Sequence, residues 1–274
     1  MYSIYPHYSP QRTHFMGRFK CTIEYEGTRY SGWQAQKNAR TVQGELMTAV
    51  EKVCTTKNFE LYGSGRTDSG VHALGQVAHL DVNTMLAPQI LRLKLNDELP
   101  SDIHICHIDK APKNFHARFD AVSRQYLYQI SRRRTAFAKK HVWWLKDYLD
   151  LEAMRSTSRI FTGLRDFRSF TRDDPEEKST VSKIEEIRLE EAGSLILIRV
   201  RGSHFLWKMV RQLVGVMVEV GRGNMPIAQV HEFFETSSGI PATFTAPPSG
   251  LFLEKVYYDG DELQTDLQAT MRVE

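Results

Sequence analysis

The chain has 274 residues, a formal net charge of +3, 41% hydrophobic residues and 25% charged residues. This length suits one large domain or two smaller ones, each with its own core. The composition is that of an ordinary globular protein. No apolar run reaches the roughly 18 residues of a membrane span, since four polar side chains interrupt the most apolar segment, 205–220. The N-terminus also lacks the apolar core of a secretory signal.

The three cysteines, Cys21, Cys54 and Cys106, are far apart and odd in number. No Cys-x-x-Cys pair occurs, so the sequence indicates neither a zinc knuckle nor a disulfide framework. We expect three buried thiols in a reducing cytoplasm. His104 and His107 are predicted to point to opposite sides of one strand, so we expect no shared metal site there.

Positive charge is concentrated in one stretch of the chain. Residues 110–146 contain ten Lys or Arg and one acid, whereas residues 147–191 contain twelve acids and eight Lys or Arg. Aromatic residues are interleaved with the basic ones. This pattern favours a polyanion whose bases can stack, and the alternative is a solvated basic face.

Alternating apolar residues predict a first strand at 19–25. A helix is predicted from Thr41, a good N-cap residue, because apolar residues recur behind it at helical spacing. A glycine-rich loop at 63–73 is flanked by two apolar segments and is predicted to join two strands. A helix over 87–96 and a strand over 102–108 follow.

After a connection at 110–120, a second series of elements is predicted. In chain order these are a strand at 124–130, a helix at 150–161, a hairpin of 183–190 and 194–201, helices at 204–220 and 226–236, and a strand at 251–258. The polar segment 171–180 contains a proline and is the candidate for a mobile loop.

Strands and helices alternate in both halves, with hairpin-like pairs rather than strict βαβ units. We therefore predict an α+β protein with two sheet-and-helix halves and a cleft between them. The predicted divisions are a flexible N-terminal extension (1–17), an N-terminal half with the glycine-rich loop (18–120), a C-terminal half (121–260) and a C-terminal tail (261–274).

The loop Gly63-Ser64-Gly65-Arg66-Thr67-Asp68-Ser69-Gly70-Val71-His72-Ala73 holds one arginine and one carboxylate two residues apart. Glycine residues let the backbone form tight turns that other residues resist, so a binding partner can come close. The carboxylate could take part in catalysis, and the arginine could bind a phosphate group. The alternative is a tight turn with a surface ion pair between Arg66 and Asp68.

Two further positions are ambiguous by pattern alone. Tyr126 and Tyr128 share one face of a strand. They are either a pair of aromatic residues in the core, or one of the two rings stacks on a nucleobase. Arg211 lies at the edge of a very apolar helix. Its side chain is either solvated or the partner of a buried carboxylate.

There is no Walker A loop, so a nucleotide triphosphatase is not indicated, and no Ser/His/Asp triad can be assembled from spacing.

Taken in order, the motifs of residues 18–258 resemble those of the TruA-type tRNA pseudouridine synthases. The segments that carry the resemblance are 25–27, 30–36, 41–43, 65–73, 76–77, 95–103, 115–121, 124–130, 166–170, 205–211 and 246–251. One departure is Arg165, where the family often has histidine, and the residues before Gly17 lie outside the shared core.

The resemblance implies two related α/β halves of the pseudouridine synthase fold, similar to the RNA-recognition fold, around a basic active-site cleft. It also implies a cytoplasmic homodimer that modifies uridines 38, 39 and 40 of the tRNA anticodon stem-loop, without metal, organic cofactor or membrane association. The roles carried over are those of Asp68 as catalytic nucleophile, Tyr126 as the ring that packs on the target base and Arg211 as the ionic partner of Asp68. Arg66 would fill the space of the flipped nucleotide, and Leu251 would line the base pocket.

Two alternatives stay open. The first is a synthase of the same family that acts at other tRNA positions. The second is a non-catalytic RNA-binding or RNA-folding protein on the same scaffold, although binding alone would not need a carboxylate that faces RNA phosphates. A metal-dependent phosphodiesterase would need a second acidic or histidine cluster, which the sequence does not offer.

Overall fold

The computed structural model describes residues 17–173 and 179–274. The predicted N-terminal extension therefore lies outside the described residues except for Gly17. Residues 174–178 of the predicted loop at 171–180 also lie outside them. Within the described residues, no helix has the length and apolarity needed to cross a bilayer.

The N-terminal half follows the predicted order closely. Its elements are β1 (Gly17–Tyr25), α1 (Val42–Cys54), β2 (Phe59–Gly63), β3 (His72–Val82), α2 (Pro88–Glu98) and β4 (Ile103–Ala111). Thr41 caps α1 as predicted, because its hydroxyl accepts a hydrogen bond from the Gly44 amide. Pro88 begins α2, where a missing amide hydrogen costs the helix nothing.

The C-terminal half repeats this plan with additions. Its elements are β5 (Ser123–Ser131), β6 (Trp143–Trp144), α3 (Leu151–Phe161), β7 (Gly163–Asp166), β8 (Val181–Ala192), β9 (Leu195–Gly202), α4 (Met209–Gly221), α5 (Ile227–Glu235), α6 (Ile240–Thr243) and β10 (Leu251–Tyr257). The two-residue β6, the short β7 and the one-turn α6 have no counterpart in the predicted elements.

Within the described residues, ten strands form one sheet, in which β4-β1-β3-β10-β5-β9-β8-β7 is the main order and β2 pairs with β3. Each half contains the order β-α-β-β-α-β, with the first strand between the hairpin and the last strand. This is the arrangement of ferredoxin-like and RNA-recognition domains, and the predicted α+β fold is confirmed. Strand β10 joins the halves, since it runs parallel to β3 and antiparallel to β5.

Each half buries its helices against one face of this sheet. Helices α1 and α2 pack on the strands of the N-terminal half, and helices α3, α4 and α5 pack on those of the C-terminal half. A third, smaller cluster includes Leu127 and Phe252 together with Leu267 and Val273 of the C-terminal tail. The segment 261–274 is therefore bound to the sheet rather than free.

The helix predicted at 204–220 begins five residues later, at Met209. Lys208 has a left-handed backbone conformation, with φ of 61°, and a helix cannot pass through such a residue. Phe205 and Leu206 continue the apolar pattern of the helix, which is why periodicity alone places them inside it. They instead belong to a loop that packs against the core.

Two smaller expectations are also wrong. His104 and His107 are both exposed, because a bulge at Cys106 inserts one residue and returns His107 to the side of His104. Of the three cysteines, Cys21 is buried, whereas Cys54 and Cys106 are half-buried.

Candidate active site

The glycine-rich loop between β2 and β3 is held from several directions. The Thr67 hydroxyl lies 2.8 Å from the hydroxyl of the buried Tyr25. The Ser69 hydroxyl donates to the Tyr30 carbonyl at 3.1 Å, and the Trp33 amide donates to the Thr67 carbonyl at 3.1 Å. These bonds on both sides of Asp68 fix the backbone that carries its carboxylate.

Two glycines allow this close packing. Gly32 has a φ of 92°, and a Cβ atom there would lie 2.5 Å from the Thr67 carbonyl oxygen. Gly70, with a φ of 78°, turns the chain from the loop toward β3. Gly63 and Gly65 do not have positive φ. Of the three glycines in the loop, only Gly70 therefore adopts a backbone conformation that other residues resist.

The structure brings Asp68 and Arg211 together across 143 residues of sequence. Arg211 Nη1 donates to Asp68 Oδ2 at 3.1 Å, and the two side chains are 12% and 23% exposed. The surface ion pair considered between Arg66 and Asp68 is absent from the described contacts. Partial burial reduces solvent screening, so the Coulomb attraction between these two charges is stronger than that between two charges on the open surface.

Arg211 is itself clamped by the turn before β10. Its Nε donates to the Ala246 carbonyl at 2.6 Å, and the Ala246 amide donates back to the Arg211 carbonyl at 3.0 Å. The guanidinium therefore bridges a backbone carbonyl and a carboxylate. Its planar fork fixes the angle between these two bonds, whereas the rotatable ammonium of a lysine does not.

Tyr126 lies where the two halves meet, since its ring packs against the hydrophobic clusters of both. The edge of the Phe205 ring contacts it at a centroid distance of 5.0 Å. Burial raises the pKa of Tyr126 to about 12, the Arg124 guanidinium opposes this rise, and the Asp68 carboxylate adds to it. The phenol is therefore neutral at physiological pH and offers a flat, partly exposed ring.

Tyr128 belongs to the core, in agreement with the simpler interpretation of its position. Its ring is fully buried, and its hydroxyl donates to the Pro247 carbonyl at 2.8 Å. Leu251 begins β10 directly opposite Tyr128. Leu251 is buried in the cluster that Tyr126 borders, and the residue of β10 directly opposite Tyr126 is Leu253.

Arg66 is exposed on the loop and is not part of the ion pair. Its Nε donates to Gln34 Oε1 at 3.2 Å. Gln34 is itself held, because its amide nitrogen donates to Gln43 Oε1 at 2.7 Å. The exposed arginine is thus bonded to a glutamine that is itself held in place.

Arg124, a half-buried arginine two residues before Tyr126, was not predicted from the sequence to belong to the site. Its guanidinium donates to four backbone carbonyls, at distances of 2.7–3.1 Å, from Ser64, Arg118, Ala121 and Ser203. It thereby ties the start of the glycine-rich loop to the connection before β5 and to the end of β9. A charged residue alternating with an aromatic one on a central strand was the signal for it.

One group of described residues has the spacing of metal ligands, namely Glu26, His72 and His141. His72 already uses both ring nitrogens, since Nδ1 accepts from the Gly27 amide at 3.0 Å and Nε2 lies 2.9 Å from the Lys140 carbonyl. Such a histidine has no free lone pair for a metal. Burial lowers the pKa of His72, consistent with a neutral ring.

Comparison with known proteins gives a consistent result. The family model described as tRNA pseudouridine synthase matches residues 22–120 and 158–259. A protein of Geobacillus sp. (strain WCH70) named tRNA pseudouridine synthase A is 40% identical over 244 residues, which cover 88% of this chain and 98% of the relative. The Clostridium perfringens (strain 13 / Type A) protein named tRNA pseudouridine synthase A 2 is 38% identical over 245 residues, covering 89% and 100%.

A solved structure of an archaeal box H/ACA sRNP Nop10–Cbf5 complex matches 88% of this chain and 62% of that chain at 10% identity. Its TM-score of 0.37 is too low to support a conclusion. The matched ranges of the family model include the glycine-rich loop and α4, and the relatives each cover most of the chain. The chain therefore belongs to the tRNA pseudouridine synthase family, and it is an isomerase of the pseudouridine synthase class.

Proposed function

We propose that this protein isomerises uridine to pseudouridine at positions 38, 39 and 40 of the tRNA anticodon stem-loop, with Asp68 as the catalytic carboxylate. The relatives are named for action on tRNA. The observation that carries the role of Asp68 is its ion pair with Arg211, next to the partly exposed ring of Tyr126.

The reaction breaks the N1–C1′ bond of uridine and forms a C5–C1′ bond. C5 loses a proton and N1 gains one, so the reaction needs neither a redox carrier nor an energy donor. Asp68 could attack C1′, attack C6 or remove the 2′ proton, and each role uses a carboxylate oxygen. Oδ2 is engaged by Arg211, whereas Oδ1 accepts no hydrogen bond from a described residue and can face the substrate.

The target uridine must leave its stack to reach this carboxylate, at a cost of a few kcal/mol. Stacking on the Tyr126 ring returns about 1–3 kcal/mol of this cost. Arg66 enters the space that the nucleotide leaves, since its side chain is exposed and its charge suits RNA. Leu251 forms the apolar wall of the base pocket.

The partner in this proposal is tRNA, bound by a homodimer in which one tRNA contacts both subunits. We also propose a cytoplasmic location, as the family resemblance implies. These statements rest on the family resemblance together with the basic stretch at 110–146. A synthase that modifies other tRNA positions is the nearest alternative, and a non-catalytic RNA-binding protein is the more distant one.

The experiment is to incubate the purified protein with unmodified tRNA transcripts and to map pseudouridine at single-nucleotide resolution. We expect modification at positions 38–40. Modification only at other positions would establish the first alternative. Bound but unmodified tRNA would establish the second.

A further inference from the structure

The connection between β5 and α3 exposes three large aromatic side chains. Phe137 is 94% exposed, Tyr148 is 87% exposed and Trp144 is 44% exposed. We call residues 133–148 the basic-aromatic segment. Single apolar residues on a surface need no explanation, but three aromatic rings within one short connection mark a contact surface.

The backbone of the basic-aromatic segment is held in place. Ala138 and Val142 are buried in the third hydrophobic cluster, and Leu145 is buried in the C-terminal core. The His141 amide donates to the Ala138 carbonyl at 2.8 Å. The exposed rings therefore project from a fixed support, which lowers the entropy lost on binding a partner.

The free charge of the segment is entirely positive. Its exposed basic residues are Arg133, Arg134, Lys139, Lys140 and Lys146. None of them forms an ion pair with a residue in the described ranges. The one acid of the segment, Asp147, is neutralised by Arg222 at 2.7 Å. The Arg134 guanidinium lies 5.9 Å from the centre of the Trp144 ring, so cation and ring are presented together.

The segment touches the structure around the candidate active site. The Lys140 carbonyl is bonded to His72 Nε2, and the Ser249 hydroxyl donates to the Val142 carbonyl at 3.2 Å. His72 follows Asp68 by four residues, a span of at most about 14 Å. The segment and the loop that carries Asp68 therefore lie at the same end of the sheet, and Ala138 and Val142 pack on the face opposite Tyr126.

We propose that the basic-aromatic segment is a second RNA-contact surface, which binds unpaired nucleotides adjacent to the modified uridine. Phe137 and Tyr148 stack on bases, and Lys139 and Lys140 contact phosphates. Aromatic rings interleaved with unpaired cations suit single-stranded RNA. A second copy of this chain suits the surface less well, because a two-fold contact would bring like charges together. This inference rests on the proposed function.

The test compares two double variants with the wild-type protein, Phe137→Ala with Tyr148→Ala and Lys139→Glu with Lys140→Glu. The binding constant for a fluorescent anticodon stem-loop RNA is measured by anisotropy at several KCl concentrations. We expect about 10-fold weaker binding for either double variant. The slope of log K against log salt should fall by about 1–2 for the lysine variant and should not change for the aromatic variant.

The matched control is Lys57→Glu with Lys94→Glu, two exposed lysines of the N-terminal half with the same total charge change. Its effect on binding and slope should be clearly smaller. Equal effects of the two lysine pairs would overturn the proposal, because only the net charge would then matter. Unchanged binding by both segment variants would also overturn it. The proposal would also be overturned if the segment variants changed their oligomeric state in analytical ultracentrifugation while their RNA affinity stayed the same.

The binding measurement is independent of turnover. A wild-type protein that binds the stem-loop through the segment but forms no pseudouridine would contradict the proposed function and leave this inference standing. If the wild-type protein forms pseudouridine but the segment variants bind RNA with unchanged affinity, the proposed function stands and this inference fails. In an active enzyme, the loss in both segment variants should appear in KM rather than in kcat.

Discussion

Arg211 on α4 binds the carboxylate of Asp68 at 3.1 Å while its Nε is bonded to the Ala246 carbonyl. The arginine thus connects the glycine-rich loop of one half with the turn that leads into β10 of the other. The two halves must be correctly joined for Asp68 to be oriented.

Replacing Arg211 by lysine keeps the positive charge but removes the planar fork. Lysine loses the fixed angle between the bonds to Ala246 and Asp68, so we expect kcat to fall roughly 10- to 100-fold while tRNA binding changes little. Single-turnover kinetics with saturating enzyme measure this directly. Wild-type activity in Arg211→Lys would show that charge alone suffices and that the geometry of the pair is unimportant.

Tyr126 should tolerate the loss of its hydroxyl better than the loss of its ring. We expect Tyr126→Phe to keep most of the activity, because stacking needs only the aromatic face. Tyr126→Ala should lose about 10- to 100-fold in kcat/KM, since a stacked base contributes about 1–3 kcal/mol. Steady-state kinetics of the two variants provide the comparison. Equal losses would assign a role to the hydroxyl instead of to stacking.

Arg124 should act as a positioning residue for the loop that carries Asp68. Replacement by methionine leaves four backbone carbonyls without their donor. A fully buried orphan costs about 1–3 kcal/mol, and three of these bonds are part-buried while the bond to Arg118 is exposed and costs less. We expect a lower Tm and a fall in kcat that exceeds the change in KM. Arg124→Lys should recover part of both.

The control for Arg124 is Arg18→Met, which removes another partly buried arginine that binds a carbonyl, that of Phe115, and a carboxylate, that of Asp81. Arg18→Met should lower Tm without the selective loss of kcat. If both variants lose activity only in proportion to unfolded protein, Arg124 has no positioning role beyond stability.

The buried histidines should make the fold sensitive to acid. Burial, the Arg18 guanidinium and His116 lower the pKa of His79 to about 4, whereas the unfolded chain has a histidine pKa near 6.5. Above pH 6.5 the ring is neutral in both states and nothing is lost. As the pH falls from 6.5 to 4, the unfolded state takes up the proton first, at about 1.4 kcal/mol of stability per pH unit.

The free energy of unfolding from urea titrations at several pH values measures this slope. Burial also lowers the pKa of His72 and His141, so these groups add to it. His79→Gln should be less stable at neutral pH but lose stability less steeply between pH 6.5 and 4. An unchanged slope in that variant would remove His79 from the account.

Periodicity predicted most of the elements, because each half buries one face of regular strands and helices. It misplaced the start of α4, since Phe205 and Leu206 continue the apolar pattern while Lys208 breaks the backbone. It also misassigned the sides of His104 and His107, because a bulge is not visible in a pattern of alternation. These failures concern backbone geometry rather than burial.

The candidate site was less accessible to residue patterns. The spacing left Arg211 either solvated or paired, and no local rule connects it with Asp68, which lies 143 residues away. Arg124 escaped notice because its partners are backbone carbonyls from three separate segments. Such contacts depend on the tertiary arrangement, so a family resemblance can suggest them but a single sequence cannot derive them.

The central claim is that Asp68 performs the chemistry and that the rest of the site positions the uridine against it. Asp68→Asn keeps the shape of the side chain and removes its charge. The most direct measurement is pseudouridine formation at positions 38–40 under single-turnover conditions, together with the dissociation constant for the same tRNA. We predict a loss of activity of at least about 10³-fold with a dissociation constant within about threefold of the wild type. Activity close to that of the wild-type protein would contradict the account.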